Sequence, residues 1–142
     1  MPSSFGKRRR VIEGPPGAPP PVGPYSPGIE VGGWLFLSGL IALDSRGLVI
    51  PGGVNAEAGL IFERLGVILK KAGYHSSDVV KLTLYLTDLS FFQVVNEACA
   101  AFFQEPYPAR VTVGVSALPK GASLEVDVIA WKGTGEEERD KG

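Results

Sequence analysis

The chain carries one cysteine, Cys99, and one histidine, His75, in 142 residues. A lone thiol cannot close an intramolecular disulfide, which fits a reducing compartment, so a cytoplasmic location is expected. His75 sits in the polar stretch Gly73-Tyr74-His75-Ser76-Ser77. No zinc site, Cys-His pair or Ser-His-Asp triad can be drawn from so few ligands and bases. Phosphate loops of the GxxxxGK type are absent. No apolar run approaches the roughly 18 residues needed to cross a bilayer. The basic residues near the start are not followed by the apolar segment of a secretory signal. Charge of one sign is also missing: 14 basic residues face 15 acidic ones, a net charge of -1. Neither a membrane surface nor a nucleic acid is expected as partner.

What is present is enough apolar material for one folded domain, with 44% of residues hydrophobic. Residues 1–21 stand apart. They contain Lys7-Arg8-Arg9-Arg10, then Gly14-Pro15-Pro16-Gly17 and Pro19-Pro20-Pro21. Proline lacks an N–H and fixes φ, so this segment is expected to be a disordered or extended basic tail. Residues 133–142 are charged and are expected to be a flexible C-terminal tail; the domain lies between, over 22–132.

Within it, Gly28-Ile29-Glu30-Val31 and Trp34–Ser38 flank Gly32-Gly33, the pattern of a hairpin. Leu48-Val49-Ile50 predicts a short third strand. From Asn55 to Ala72, Ile61, Leu65, Ile68, Leu69 and Ala72 recur at helical spacing, with Glu57 on the polar side, Asn55 as cap and Gly73 as terminator. Val80–Thr87 alternates as a strand with Val80, Leu82, Leu84 and Leu86 inward. Ser90 and Gln93 have the spacing of a capping box opening a second helix to about Gln104. Its apolar stripe includes Phe92, Val95, Cys99, Phe102 and Phe103. Arg110–Ser116 and Leu124–Trp131 complete the order β-β-β-α-β-α-β-β. The fold class is α+β, a six-stranded mixed sheet with two helices on one face. The last strand is apolar on both faces, with Leu124, Val126 and Val128 on one and Ile129 and Trp131 on the other. The face without helices then needs a cover, and another copy of the chain is the simplest.

Arg110 is the residue that suggests chemistry. Its strand face continues with Thr112 and Gly114, leaving room before the guanidinium for a planar anion. If its strand pairs with the last one around residues 117–122, Ser116 meets Ser123 and Gly114 meets Glu125. Arg110 and Glu125 then share a face, either as a pocket or as an ordinary cross-strand ion pair. Cys99 reads as a packed thiol.

Tyr107-Pro108-Ala109-Arg110, Leu118-Pro119-Lys120 and Leu124-Glu125-Val126 resemble the signature region of the YjgF/RidA family. Gly23–Gly28, Leu37-Ser38-Gly39, Asp78–Lys81, Asp88-Leu89 and Val95-Asn96 follow in the same order, so the resemblance covers about residues 22–131. It implies a fold similar to trimeric chorismate mutase, with sites in clefts between the subunits of a homotrimer. It also implies a cofactor-free and metal-free imine deaminase acting on a small imino acid and releasing an oxo acid. Arg110 then binds the substrate carboxylate and Glu125 positions water, with Tyr25, Ser38, Gly39, Asn96 and Thr112 lining the pocket. Thr112 and Leu40 stand where many relatives carry cysteine and glutamine, which bears on substrate preference. A trimeric metabolite-binding module and an endoribonuclease or translation inhibitor are the alternatives that the same resemblance leaves.

Overall fold

Alternating apolar residues build one sheet whose inner face packs on two helices. In the computed structural model, residues 9–133 are described; Lys7 and Arg8 of the basic run and nearly all of the expected C-terminal tail lie outside them. The strands are β1 (Arg9–Ile12), β2 (Gly28–Val31), β3 (Trp34–Leu37), β4 (Val79–Leu86), β5 (Ala109–Gly114) and β6 (Leu124–Trp131), and the helices are α1 (Gly53–Ala72) and α2 (Phe92–Phe102). The sheet order is β1-β2-β3-β6-β4-β5. Only the β4–β5 pair is parallel. The class is the α+β expected, and the count of six strands holds.

One of the six is not the strand expected. Leu48–Ile50 contributes only the isolated Leu43–Val49 bridge. The remaining strand is β1, inside the segment expected to be a tail, and it runs antiparallel to β2. No proline falls between Pro2 and Pro15, so Arg9–Ile12 keeps its N–H groups for pairing. Ile12 enters the core. Outside the core, the Arg10 guanidinium donates to Glu30 at 2.8 Å and to the carbonyl of Ala72 at 3.2 Å. The Tyr74 hydroxyl donates to the other Glu30 oxygen at 2.8 Å, and Lys132 lies 3.6 Å from it. Burial works to raise the Glu30 carboxyl, but its bonds from Arg10 and Tyr74 prevail and hold it below the usual range. This clasp joins β1 to the end of α1 and to the residue after β6.

The core lies between the helices and the sheet face carrying Leu35, Leu37, Leu82, Leu84, Leu86, Leu124, Val126 and Val128. Of the two faces of β6, it is therefore the one with Leu124 that meets the helices. The other face leaves Trp34 and Phe36 more than 40% exposed, stacked at 6.3 Å between ring centres. Val80 departs from the expected inward row and is exposed, because the β4–β6 pairing shifts register between Val79 and Lys81.

Several local readings are corrected. Helix α1 starts at Gly53, with Gly52 as a left-handed cap and no side-chain cap bond, so Asn55 is not the cap. Glu57 is buried rather than on the polar side; it accepts the Ser123 N–H at 2.8 Å, pinning the start of β6 to the helix. The capping box at Ser90 and Gln93 does not form. Asp88 accepts the Ser90 N–H instead, a short 3-10 turn over Leu89–Phe91 precedes the helix, and Gln93 turns to Glu97. Gly73 does end α1 in the left-handed conformation.

Candidate active site

The pairing expected around Arg110 is wrong, and the error has consequences for the site. Strands β5 and β6 are not neighbours: β4 lies between them. Gly114 meets Leu86, and Glu125 meets Tyr85. The physical reason is burial. β4 carries Leu82, Leu84 and Leu86 at 1% exposure or less, which suits a central strand, whereas β5 is mostly half-buried or exposed and suits an edge. Register then decides the faces. Arg110 lies beside Leu82 on the helix side, and Glu125 lies beside Tyr85 on the open side. Within one chain the two do not share a face, and the ordinary ion pair between them is excluded.

The first group of site residues gathers at the β5 edge. Arg110 and Asn96 line a cavity of about 320 Å³ between α2 and β5, together with Leu82, Cys99, Phe103 and Tyr107. Phe92, on the expected buried stripe of α2, is largely exposed and places its ring 5.3 Å from the guanidinium carbon. That contact orients the cation without neutralising it. Among the described residues Arg110 has no carboxylate partner. Thr112 follows on the same face of β5, beside Leu84. Burial raises the Cys99 thiol pKa, partly opposed by Arg110. Cys99 is packed, as expected, but it also lines this cavity; the apolar spacing of α2 concealed that second role.

The second group gathers on the open face. Leu40 and Val126 exchange backbone hydrogen bonds of 2.7 and 3.0 Å, which brings Gly39 against Glu125. A methyl group on Gly39 would lie 2.0 Å from Glu125 Oε2, so glycine is required there for the carboxylate to hold its place. The Ser38 hydroxyl donates to the carbonyl of Ser26 at 2.6 Å, tying the loop of Tyr25 to this strand end. Tyr25 itself is exposed. Burial, reinforced by the nearby Asp127 charge, pushes the Glu125 carboxyl above its usual range. Asp127 accepts the Tyr85 hydroxyl at 3.0 Å. A carboxyl poised upward beside a glycine gap is suited to take a proton from water.

A larger hollow of about 440 Å³ lies at the end of α1, lined by Gly66, Lys70, Gly73 and His75 among others. It holds none of the residues expected to act, and size alone does not outweigh the chemistry at the β5 edge. Among the described residues no group of three His, Cys, Asp or Glu could hold a metal, and no helix is long and apolar enough to cross a membrane.

Known proteins resemble the chain over most of its length. The family described as Endoribonuclease L-PSP matches residues 16–132. A RutC family protein of Pyrococcus horikoshii is 42% identical over 116 residues, covering 81% of this chain and 92% of that protein. A 2-iminobutanoate/2-iminopropanoate deaminase of Mus musculus is 43% identical over 117 residues, covering 82% and 87%. The crystal structure of RidA from an Antarctic Psychrobacter superposes with a TM-score of 0.79 at 40% identity, covering 87% of this chain and all of that one.

Proposed function

The chain belongs to the YjgF/RidA family, and from that premise we propose that it hydrolyses reactive enamine and 2-imino acid intermediates to 2-oxo acids and ammonia. The observation that carries this reading is a guanidinium without a carboxylate partner in a cavity. A substrate carboxylate accepts two charge-assisted hydrogen bonds from Arg110. Glu125 takes a proton from a water as its oxygen adds to the imine carbon, and passes that proton to the nitrogen, giving a carbinolamine. The hydroxyl proton then moves to the nitrogen in the same way, the C=O bond forms as the C–N bond breaks, and ammonia leaves. The imine carbon and water are held together by the cleft, which supplies much of the acceleration. Tyr25, Ser38, Gly39, Asn96 and Thr112 line the rest. The proposed reaction uses no cofactor or metal, and the proposed setting is the cytoplasm.

A homotrimer is part of the proposal. Arg110 and Glu125 lie on different faces of one sheet, so a complete site needs Arg110 of one copy beside Glu125 of the next. Two features support such an assembly: the uncovered aromatic face of β3 and β6, and the edge position of β5. The basic, proline-rich segment has no part in the proposed reaction.

The test is an assay in which an amino-acid oxidase supplies 2-imino acids and 2-oxo acid release is followed. Arg110→Ala is expected to lose about 2–5 kcal/mol of transition-state stabilisation while keeping its fold. Arg110→Lys rescues little, because an ammonium cannot meet both carboxylate oxygens. Glu125→Gln keeps binding of 2-oxobutanoate and loses turnover. Normal deamination by Arg110→Ala would overturn the reading. Carboxylate binding without any turnover would instead identify a metabolite-binding module.

A further inference from the structure

The cavity beside Arg110 is larger than a carboxylate needs. Its volume of about 320 Å³ corresponds to about ten water molecules at their liquid volume. In one copy taken alone, the smallest imino acid, with a methyl side chain, leaves much of that space open once its carboxylate is on the guanidinium. The walls behind the guanidinium are apolar: Leu82, Phe103 and Cys99, all at least nine-tenths buried. On the α2 side the wall is formed by Asn96 and by two consecutive short residues, Cys99 and Ala100. Longer side chains there would close the space. Because burial raises its pKa, Cys99 presents a neutral thiol rather than an anion competing for Arg110.

We propose that the space between α2 and β5 receives the substrate's side chain, and that Cys99 and Ala100 set its size, favouring 2-imino acids with branched aliphatic side chains over those with a methyl group. This rests on the deaminase reading and adds the class of substrate to it. Apolar groups entering the cavity leave water for a wall of Leu82, Cys99 and Phe103. Each added methylene in such a pocket is typically worth about 10- to 200-fold in discrimination. Cys99 and Ala100 act as specificity-determining residues and take no part in bond breaking.

The experiment compares imines made from L-leucine and L-alanine by an amino-acid oxidase, read as kcat/KM for 2-oxo acid release. Binding of 4-methyl-2-oxopentanoate and pyruvate is measured alongside by calorimetry. The wild type is expected to favour the leucine-derived imine by about tenfold or more. Ala100→Leu should lower that ratio at least about tenfold; Ala100 is exposed, so the fold is expected to survive, checked by its melting temperature. Cys99→Val, which keeps the size of the wall, should preserve the ratio. A wild type with no preference, or an Ala100→Leu variant that slows both imines equally, overturns the compartment while leaving deamination in place. If neither imine is turned over but the oxo acids show the size preference and Ala100→Leu abolishes it, the compartment stands and the deaminase reading fails.

Discussion

The β5 edge and the open sheet face hold different halves of the proposed chemistry, and they are built in opposite ways. At the edge, Arg110 stands over the helix side, with a buried apolar wall behind it and Phe92 beside it. On the open face, Glu125 is confined by the close approach of Gly39, and burial and then the Asp127 charge raise its carboxyl. In the proposed reaction the edge binds an anion because it presents a cation without a carboxylate partner. The open face favours proton transfer because its carboxyl is raised. A cation and a carboxylate adjacent on one face would neutralise each other as a salt bridge. Separating them by a strand keeps both available, and in the proposed trimer a neighbouring copy brings them together.

The largest effect should come from breaking that comparison. Arg110→Ala and Glu125→Gln chains, each inactive alone, are denatured together and refolded as a mixture. If each site takes its arginine and its glutamate from different copies, about a quarter of the interfaces in randomly mixed assemblies contain both intact residues. Activity near that fraction of wild type is expected, with sedimentation confirming a trimer. A mixture as inactive as its components would show that one chain supplies both groups.

Gly39→Ala sharpens the open-face half. The added methyl group falls on Glu125 Oε2, so the carboxylate must shift. A displacement of about 1 Å can cost about 100-fold in turnover, and a loss of that order is expected with binding of 2-oxobutanoate largely kept. Equal loss of both would place Gly39 in carboxylate binding instead.

A smaller effect concerns pH. Glu125 acts as a base when ionised, and its pKa is raised by burial first and by Asp127 second. The rate should therefore rise with pH through a limb above the usual carboxyl range. Asp127→Asn removes the charge that contributes to the shift, so the limb should move to lower pH in a kcat/KM profile. An unmoved limb would exclude Glu125 as the titrating group. The sign for stability is the reverse of the usual carboxylate case. A raised native pKa means the native state holds its proton longer than the unfolded one. Glu125 therefore favours the fold less as pH rises through that window.

The smallest effect lies away from both halves. Glu30→Gln weakens the clasp of Arg10, Tyr74 and Lys132. A loss of about 0.2–1 kcal/mol is expected, because Arg10 is half exposed to solvent. Glu30 is held below the usual range, so its contribution is full above its unfolded pKa and disappears as acid titrates it. Urea melts at neutral and acidic pH should show the wild-type advantage over Glu30→Gln only at neutral pH.

By itself, the sequence determined what is local in period. The alternation of Leu82, Leu84 and Leu86, the helical spacing of Ile61, Leu65 and Leu69, and the hairpin glycines at Gly32 and Gly33 each report a single element's environment. A single cysteine excluded an intramolecular disulfide, and the ordered motifs around Arg110 and Glu125 pointed to the family. Tertiary structure decided what depends on neighbours distant in sequence. β1 was hidden because four residues before a proline cluster carry almost no periodic signal, and Arg10 is secured only by Glu30 and Ala72 from elsewhere. Glu57 looked like a surface acid because helical spacing does not reveal that Ser123 would bring an N–H to it. Most of all, two strands joined by a short loop suggested a hairpin, yet β4 separates β5 from β6. A strand with a fully buried row such as Leu82, Leu84 and Leu86 takes an interior position, where both its edges and its inner face are removed from water, and no local pattern in β5 or β6 records that β4 would come between them.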